Sequence, residues 1–359
     1  MSRTFRLAAV ALLALTAAGC GGDDNSSSTA SVSDTLPIST TPSTDSTLPA
    51  TTTTELITTT TAVPVPVYPL TGLPVTDPAI AARPALVVKI DNNKSARPQS
   101  GLNEADIVFE EIVEVQTRFA AVFQSQGAEP VGPIRSGRTQ DVLLLGSLNR
   151  PLFLWSGGNP GVTAAIEGSD FVNLSAQRSS VYGPAGFFRS DQRSSPHDLY
   201  ASSNGAWSLA PADAAPPAQQ FQYLAPGVAA AGTAQAGVNL EMDGLSVEWR
   251  FDAASGTYLR SNGGTPHMDA LSGQVSTNNV VVMFVDYQPS AADGNSPEAQ
   301  TIGSGEVWVF TGGVLVKGTW SRADRLQPIA FTDANGAPIL LTPGRTWVEL
   351  ARVNSATSV

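Results

Sequence analysis

The sequence is poor in charge, and the charge that it has is mostly negative. Charged residues make up 14% of the 359 residues, with 20 Lys and Arg against 31 Asp and Glu and a formal net charge of -11. A protein that binds nucleic acid needs a basic face to meet the phosphates. The composition therefore excludes nucleic acid as an expected partner.

Cysteine and histidine are scarce. The one cysteine, Cys20, cannot form an intrachain disulfide. The two histidines, His197 and His267, are isolated in the sequence and show no metal-site spacing such as HxxxH. We therefore expect no metal and no cofactor. Each histidine follows a proline and has an aspartate one or two residues later, so the alternatives are a structural histidine, which we favour, and a general base oriented by a carboxylate.

No apolar stretch is long enough to span a bilayer permanently. Arg3 and Arg6 precede a short Ala/Leu-rich segment, which ends in Ala17-Ala18-Gly19-Cys20. A lone cysteine after small residues resembles the box of bacterial lipoproteins, in which the thiol is lipidated and becomes the mature N-terminus. We predict that residues 1–20 are a lipoprotein-type signal peptide and that Cys20 anchors an extracytoplasmic protein to the cell membrane; a plain secretory signal is the alternative.

The next segment, residues 21–67, has few bulky apolar side chains and no basic residues. It is rich in Ser, Thr, Pro and Ala, with runs such as Thr51-Thr52-Thr53-Thr54. Such a composition cannot bury enough apolar surface to offset the conformational entropy of the chain. We predict a disordered tether.

The remaining chain reads as two units. In the first domain, residues 68–210, apolar strand-like runs alternate with helical patterns, which is typical of a mixed α/β unit. The predicted elements are strands over 84–90, 106–115, 117–124 and 152–155 and helices over 136–149 and 160–168. In the second domain, residues 211–359, helix signals nearly vanish and turns such as Gly312-Gly313 separate β-rich runs, which indicates a mainly antiparallel β domain. The expected fold class is α+β.

A candidate site lies where the first apolar run stops. The run ends at Asp91, and a Gly-Pro loop then carries Arg135 and Arg138 to a predicted helix start at Ser136. Helix N-termini and guanidinium groups bind carboxylates or phosphates. The first hypothesis is an anion site; the alternative is that the arginines pair with carboxylates inside the fold. The predicted ligand-binding residues are Asp91, Arg118, Arg135, Ser136, Arg138 and His197.

The acidic strand is a weaker candidate for chemistry. Glu110, Glu111 and Glu114, together with Asp106, could supply the acid and base of a glycan hydrolase. Strand alternation, however, places Glu110 and Glu111 on opposite faces. We therefore favour a solvated or salt-bridged strand and assign no catalytic residue.

Several motifs, in one order, resemble those of the YerB-like bacterial lipoproteins. They are Arg97-Pro98-Gln99-Ser100-Gly101, Ala105-Asp106-Ile107-Val108, Thr117-Arg118-Phe119, Gly132-Pro133-Ile134-Arg135-Ser136-Gly137-Arg138, Pro196-His197-Asp198-Leu199-Tyr200, Gly318-Thr319-Trp320 and Pro343-Gly344-Arg345-Thr346-Trp347. The resemblance runs from about Tyr68 to the C-terminus, and it departs from the family at Gly137, where alanine is expected. It implies a two-domain, envelope-anchored lipoprotein of unknown biochemical function, without established catalytic residues.

Our main functional hypothesis is a non-enzymatic, lipid-anchored protein that binds an anionic ligand or a cell-envelope partner. The alternative is a cell-wall hydrolase, acting on glycan or peptide, that uses carboxylates and His197. A third class is a structural interaction module whose motifs serve folding alone.

Overall fold

The computed structural model describes residues 65–359. Cys20, the predicted signal peptide and nearly all of the predicted tether lie outside these residues. Residues 65–359 belong to one compact unit. Within the described residues, no helix is long and apolar enough to cross a membrane.

Helices are few and short. They are α1 (Pro78–Ala82), α2 (Gln140–Leu144), α3 (Pro160–Glu167), α4 (Ser179–Tyr182) and α5 (Ser203–Trp207), with 3-10 turns at Lys94–Ala96 and Gly146–Leu148. The strands of the first half are β1 (Leu86–Asp91), β2 (Ile107–Val113), β3 (Gln116–Phe123), β4 (Leu152–Trp155), β5 (Val172–Ser175), β6 (Phe188–Arg189) and β7 (Leu199–Tyr200).

The second half is almost entirely β. Its strands are β8 (Thr233–Ala234), β9 (Gly237–Glu241), β10 (Ser246–Asp252), β11 (Thr257–Asn262), β12 (Thr265–Pro266), β13 (Met268–Asp269), β14 (Gly273–Gln274), β15 (Ser276–Thr277), β16 (Asn279–Phe284), β17 (Tyr287–Ser290), β18 (Asp293–Ala299), β19 (Gly303–Thr311), β20 (Val314–Arg322), β21 (Ala330–Asp333), β22 (Thr346–Ala351) and β23 (Ala356–Ser358). The predicted α+β class, with a mixed first part and a mainly antiparallel second part, is confirmed.

One large sheet contains strands from both halves of the chain. Its 11 strands follow the order β21-β20-β19-β16-β22-β2-β3-β1-β4-β5, and β8 pairs with β20. The halves join where β2 and β22 run parallel, with Ile107 opposite Thr346 and Glu110 opposite Glu349. A six-stranded sheet built around β9, β10 and β11 belongs to the second half alone.

The predicted helix over 136–149 starts too early. The preceding segment is extended, because Ile134 bridges to Ile90 and the amide of Arg135 donates to the carbonyl of Lys89 at 2.8 Å. This pairing with the end of β1 delays the helix to Gln140, and α2 has only five residues. Ser136 is therefore not a helix cap, and this prediction is wrong.

Alternation along the central strands separates two cores. Residues such as Val88 and Phe119 pack into one apolar cluster, and Val87 and Val122 pack into the other. Every residue of β2 is buried. Glu110 and Glu111 therefore lie on opposite faces of the sheet, both fully buried, which requires a partner for each charge.

Glu110 finds its partner on the second half of the chain. Arg260, from β11, donates through Nη2 to both oxygens of Glu110, at 3.0 and 2.7 Å, and both side chains are fully buried. Asn92 and Thr117 donate to Glu110 as well. The ion pair therefore links the central sheet to the six-stranded sheet.

We predict that Arg260→Ala lowers the free energy of unfolding by about 3–5 kcal/mol, because it leaves a buried carboxylate without its cation. Urea denaturation followed by tryptophan fluorescence measures the change. Arg250→Ala is the matched control, since Arg250 lies exposed on the neighbouring strand β10 and forms no ion pair with a described residue. Equal losses in the two variants would contradict the role given to Arg260.

Candidate functional site

Three arginines converge on one side of the central sheet. Arg118 comes from β3, and Arg135 and Arg138 come from the extended loop that precedes α2. Arg118 is only 2% exposed; its Nη1 donates to the carbonyl of Ser136 at 2.9 Å, and its buried Nε has no hydrogen-bond partner among the described residues. Burial, followed by the charges of Arg138 and Arg135, lowers the pKa of Arg118 to about 10. The arginines are therefore close enough to repel one another.

Two carboxylates balance this cluster in part. Asp91 Oδ2 lies 3.1 Å from Arg135 Nε, and Glu114 accepts two bonds from Arg138 Nη2, at 2.7 and 2.9 Å. Arg118 forms no ion pair with any described residue. Both arginines of the loop thus pair with carboxylates of the fold, as the alternative hypothesis states, while Arg118 has no direct ion-pair partner among the described residues.

A polar cleft of about 310 Å³ opens beside Arg138. Its walls come from the arginine loop, from the segments after β4 and β5, and from the β17–β18 hairpin. The lining residues are Ser136, Arg138, Ser156, Gly157, Gly158, Asn159, Val162, Gln177, Ser290, Asp293 and Ser296. Arg138 therefore lies between an internal carboxylate and an open cleft.

The cleft lies at the carboxyl ends of the parallel strands β4 and β5, which is where open α/β sheets bind ligands. After β4 the chain turns through Gly157, whose φ of 110° disfavours other residues. A Cβ at Gly157 would lie 2.2 Å from the side chain of Gln177, so glycine also allows the close approach of the two loops. Asn159 then caps α3 by accepting from the amide of Val162 at 2.8 Å.

His197 belongs to the same cluster, although the cleft walls do not include it. Its Nδ1 lies 2.7 Å from Asp91 Oδ2, the oxygen that also faces Arg135. The adjacent Asp198 instead pairs with Arg189. The carboxylate partner of His197 is thus distant in sequence.

The other histidine is structural. His267 is buried; its Nδ1 accepts from Arg260 at 2.6 Å, and its Nε2 lies 2.7 Å from Gln99 Oε1. Burial, followed by the charges of Arg260 and Arg97, holds the pKa of His267 well below its usual value. Within residues 65–359 no group of three or more His, Cys, Asp or Glu side chains is arranged to hold a metal ion.

Comparison with known proteins agrees with this architecture. Two family models match the chain: the N-terminal domain of a protein of unknown function, DUF3048, over residues 70–215, and its C-terminal domain over residues 238–348. "Putative lipoprotein YerB" of Bacillus subtilis is 30% identical over 302 residues, which are 81% of this chain and 88% of that protein. The chain belongs to the YerB-like family.

The crystal structure of YerB from Bacillus subtilis matches this YerB-like fold with a TM-score of 0.71 and 25% identity. The match covers 82% of this chain and 99% of the crystallised chain. The relative's name and the unknown function of the family fit a membrane-anchored extracytoplasmic protein whose activity is not known.

All six predicted site residues lie in one neighbourhood of the YerB-like fold. Asp91, Arg118, Arg135, Arg138 and His197 converge through the contacts above, and Ser136 contributes its carbonyl and lines the cleft. Sequence reasoning did not predict the cleft wall that follows β4. The glycine pair Gly157-Gly158 was the sequence signal that could have indicated it.

A buried triad beside the site was also missed. Lys89 Nζ lies 2.8 Å from both Glu111 Oε1 and Asp141 Oδ1, and all three side chains are fully buried. Gln140 donates to the second oxygen of Glu111 at 2.7 Å. Burial, followed by the charge of Asp141, raises the pKa of Glu111 to about 7.

This pKa predicts how stability depends on pH. Between about pH 4.5 and pH 7 folded Glu111 keeps a proton that the unfolded chain releases, so its contribution is complete below that window and is lost as the pH rises through it. The free energy of unfolding should fall by up to about 3 kcal/mol across the window from this group alone. The glutamine in Glu111→Gln has no titrating carboxyl group, so this variant lacks the pH-dependent contribution of Glu111.

Urea unfolding at pH 5 and pH 8 checks the prediction. The fall in stability between the two pH values should be smaller in Glu111→Gln than in the unsubstituted protein. An equal or larger fall in the variant would contradict the assignment.

Proposed function

We propose that this protein is a lipid-anchored extracytoplasmic binding protein whose ligand carries an anionic group into the cleft beside Arg138. The observation that supports the proposal is the charge balance of the arginine cluster. Among the described residues, Arg118, Arg135 and Arg138 together form ion pairs with two carboxylates, Asp91 and Glu114, in a protein with an excess of acid. An anion in the cleft would offset the remaining positive charge.

The cleft suits such a ligand in its other groups. The hydroxyls of Ser136 and Ser156 line it and make no hydrogen bond to a described residue, and α3 starts at its edge. Serine hydroxyls, backbone amides and a guanidinium group are the usual partners of phosphate and carboxylate oxygens. Val162 is the one large aliphatic side chain in the lining, which favours a small polar ligand.

Glu114 has a particular part in this proposal, because it occupies the guanidinium of Arg138 that the ligand needs. It lies at the tip of the β2–β3 hairpin with a φ of 43°, and it also accepts from Ser296 at 3.0 Å. A ligand anion must compete with this internal carboxylate. Loss of the Arg138 cation should therefore weaken ligand binding, and loss of the Glu114 carboxylate should strengthen it.

We expect Arg138→Gln to weaken the binding of inorganic phosphate about tenfold or more, and Glu114→Gln to strengthen it, because a charge-assisted bond contributes about 1.5–3 kcal/mol. Titration calorimetry on residues 62–359 measures both. Arg178→Gln is the control: Arg178 adjoins Gln177 and pairs with Glu167 on the exposed surface, so the same loss of charge should leave affinity unchanged. Equal affinity for phosphate in all variants would reject the site.

Anchoring through Cys20 is the other part of the proposal. The motif in the sequence and the named lipoprotein relative support it. Cells grown with an alkyne-labelled fatty acid should incorporate the label into the protein, and Cys20→Ser should abolish incorporation and release the protein from the membrane fraction. Persistent labelling of Cys20→Ser would point to a different attachment.

Hydrolysis is the second candidate, and one contact favours it. Asp91 bonded to His197 Nδ1 would orient the ring so that Nε2 is available as a general base. The fully buried Glu110 and Glu111 are both engaged by basic side chains, so neither resembles the free carboxylates of a glycosidase. Binding remains the better supported function.

A further inference from the structure

A second groove, of about 430 Å³, lies where the two family segments meet. One wall is the loop that carries Lys94, Arg97 and Pro98. The other wall is the turn from β11 to β13, with Asn262, Thr265, Pro266, His267 and Met268. Grooves between two parts of a fold are common ligand sites. None of these residues lines the cleft beside Arg138.

The lining of the groove holds two cations and no carboxylate. Neither Lys94 nor Arg97 forms an ion pair with a described residue, although the protein has a net charge of -11. Two unpaired cations on one wall therefore indicate a site that attracts an anion.

Arg97 is held in place rather than free in solvent. Its Nε donates to Asn92 Oδ1 and its Nη2 to the carbonyl of Asn92, both at 3.0 Å, whereas Nη1 donates to no described residue. Arg193 braces the loop by donating to the carbonyls of Ser95, Arg97 and Pro98, at 2.9, 3.2 and 2.6 Å. Because the Arg97 side chain and its loop are already ordered, ligand binding there costs little conformational entropy of the protein.

The facing wall is mixed, because Pro266 and Met268 are apolar and Asn262 and Thr265 are polar. Met268 is 45% exposed, and Pro98 and Pro266 flank the same groove. His267 behind them is neutral and has both nitrogens engaged, so it offers no further charge. An exposed methionine is a flexible contact for an aliphatic chain.

We propose that this groove binds an organic anion with an aliphatic chain, with the anionic group on Arg97 and Lys94 and the chain against Met268. A free fatty acid and a single-chain phospholipid share this chemistry. The site is independent of the cleft beside Arg138, because the two share no residue.

The test uses residues 62–359 and three probes: decanoate, decanol, which lacks the charge, and acetate, which lacks the chain. Titration calorimetry should show decanoate binding at least about tenfold more tightly than either control, since each lacks one half of the interaction. Lys94→Gln and Arg97→Gln should each weaken decanoate binding severalfold, and Met268→Ser should do the same. Lys94 and Met268 are exposed, so these two variants test the site even if Arg97→Gln disturbs the loop.

Arg178→Gln is the matched control, because Arg178 pairs with Glu167 on the exposed surface and lines neither site, so the same loss of charge should leave decanoate binding unchanged. Competition by decanoyl-lysophosphatidylglycerol would assign the ligand to phospholipids, and its exclusion would assign the ligand to free carboxylates. The proposal is overturned if decanol binds as tightly as decanoate, if decanoate does not bind, or if Lys94→Gln and Met268→Ser leave its affinity unchanged.

Discussion

The structure depends on a buried ion pair between the two halves of the chain. Glu110 and Arg260 lie in separate sheets and are both fully buried, so each charge would be strongly destabilising without the other. Glu349, opposite Glu110 on the neighbouring strand, has a pKa raised well above its usual value by burial and by Glu110. A neutral Glu349 leaves one negative and one positive charge in balance. Neither family segment contains both members of this pair.

The same strands create the candidate site on their other face. Alternation along β3 directs Phe119 into one core and Arg118 toward the opposite face, where Arg135 and Arg138 approach it. The packing of the sheet holds three like charges together at a cost that two carboxylates offset in part. This excess of positive charge is the basis of the anion site that we propose, in which Glu114 competes with the ligand for Arg138.

Both candidate sites need the whole fold. The cleft beside Arg138 has one wall from the β17–β18 hairpin, and the groove beside Arg97 has one wall from the turn after β11. In each case the cations come from the first family segment and the facing wall comes from the second. The central sheet and both candidate sites therefore each contain residues of both family segments.

The sequence by itself determined the elements whose signals are local. Apolar runs predicted β1 to β4, turn glycines predicted the β19–β20 hairpin, and alternation alone separated Glu110 from Glu111. The sequence also grouped Arg135 and Arg138 with Asp91, because Asp91 ends an apolar strand and the two arginines lie on a loop before a predicted helix. The prediction of a helix start at Ser136 was wrong because of a distant contact. The end of β1 pairs with the segment around Ile134, so the chain there is extended.

Only the tertiary structure decided the partners of the charged groups. Asp91 pairs with His197 and Glu110 with Arg260 across separations of 106 and 150 residues, and local patterns carry no information about such distances. The parallel pairing of β2 with β22 brings the halves together in the same way. Strand periodicity fixes the face on which a side chain lies, whereas the packing of distant strands determines which side chains it contacts. This packing decided which arginines form ion pairs.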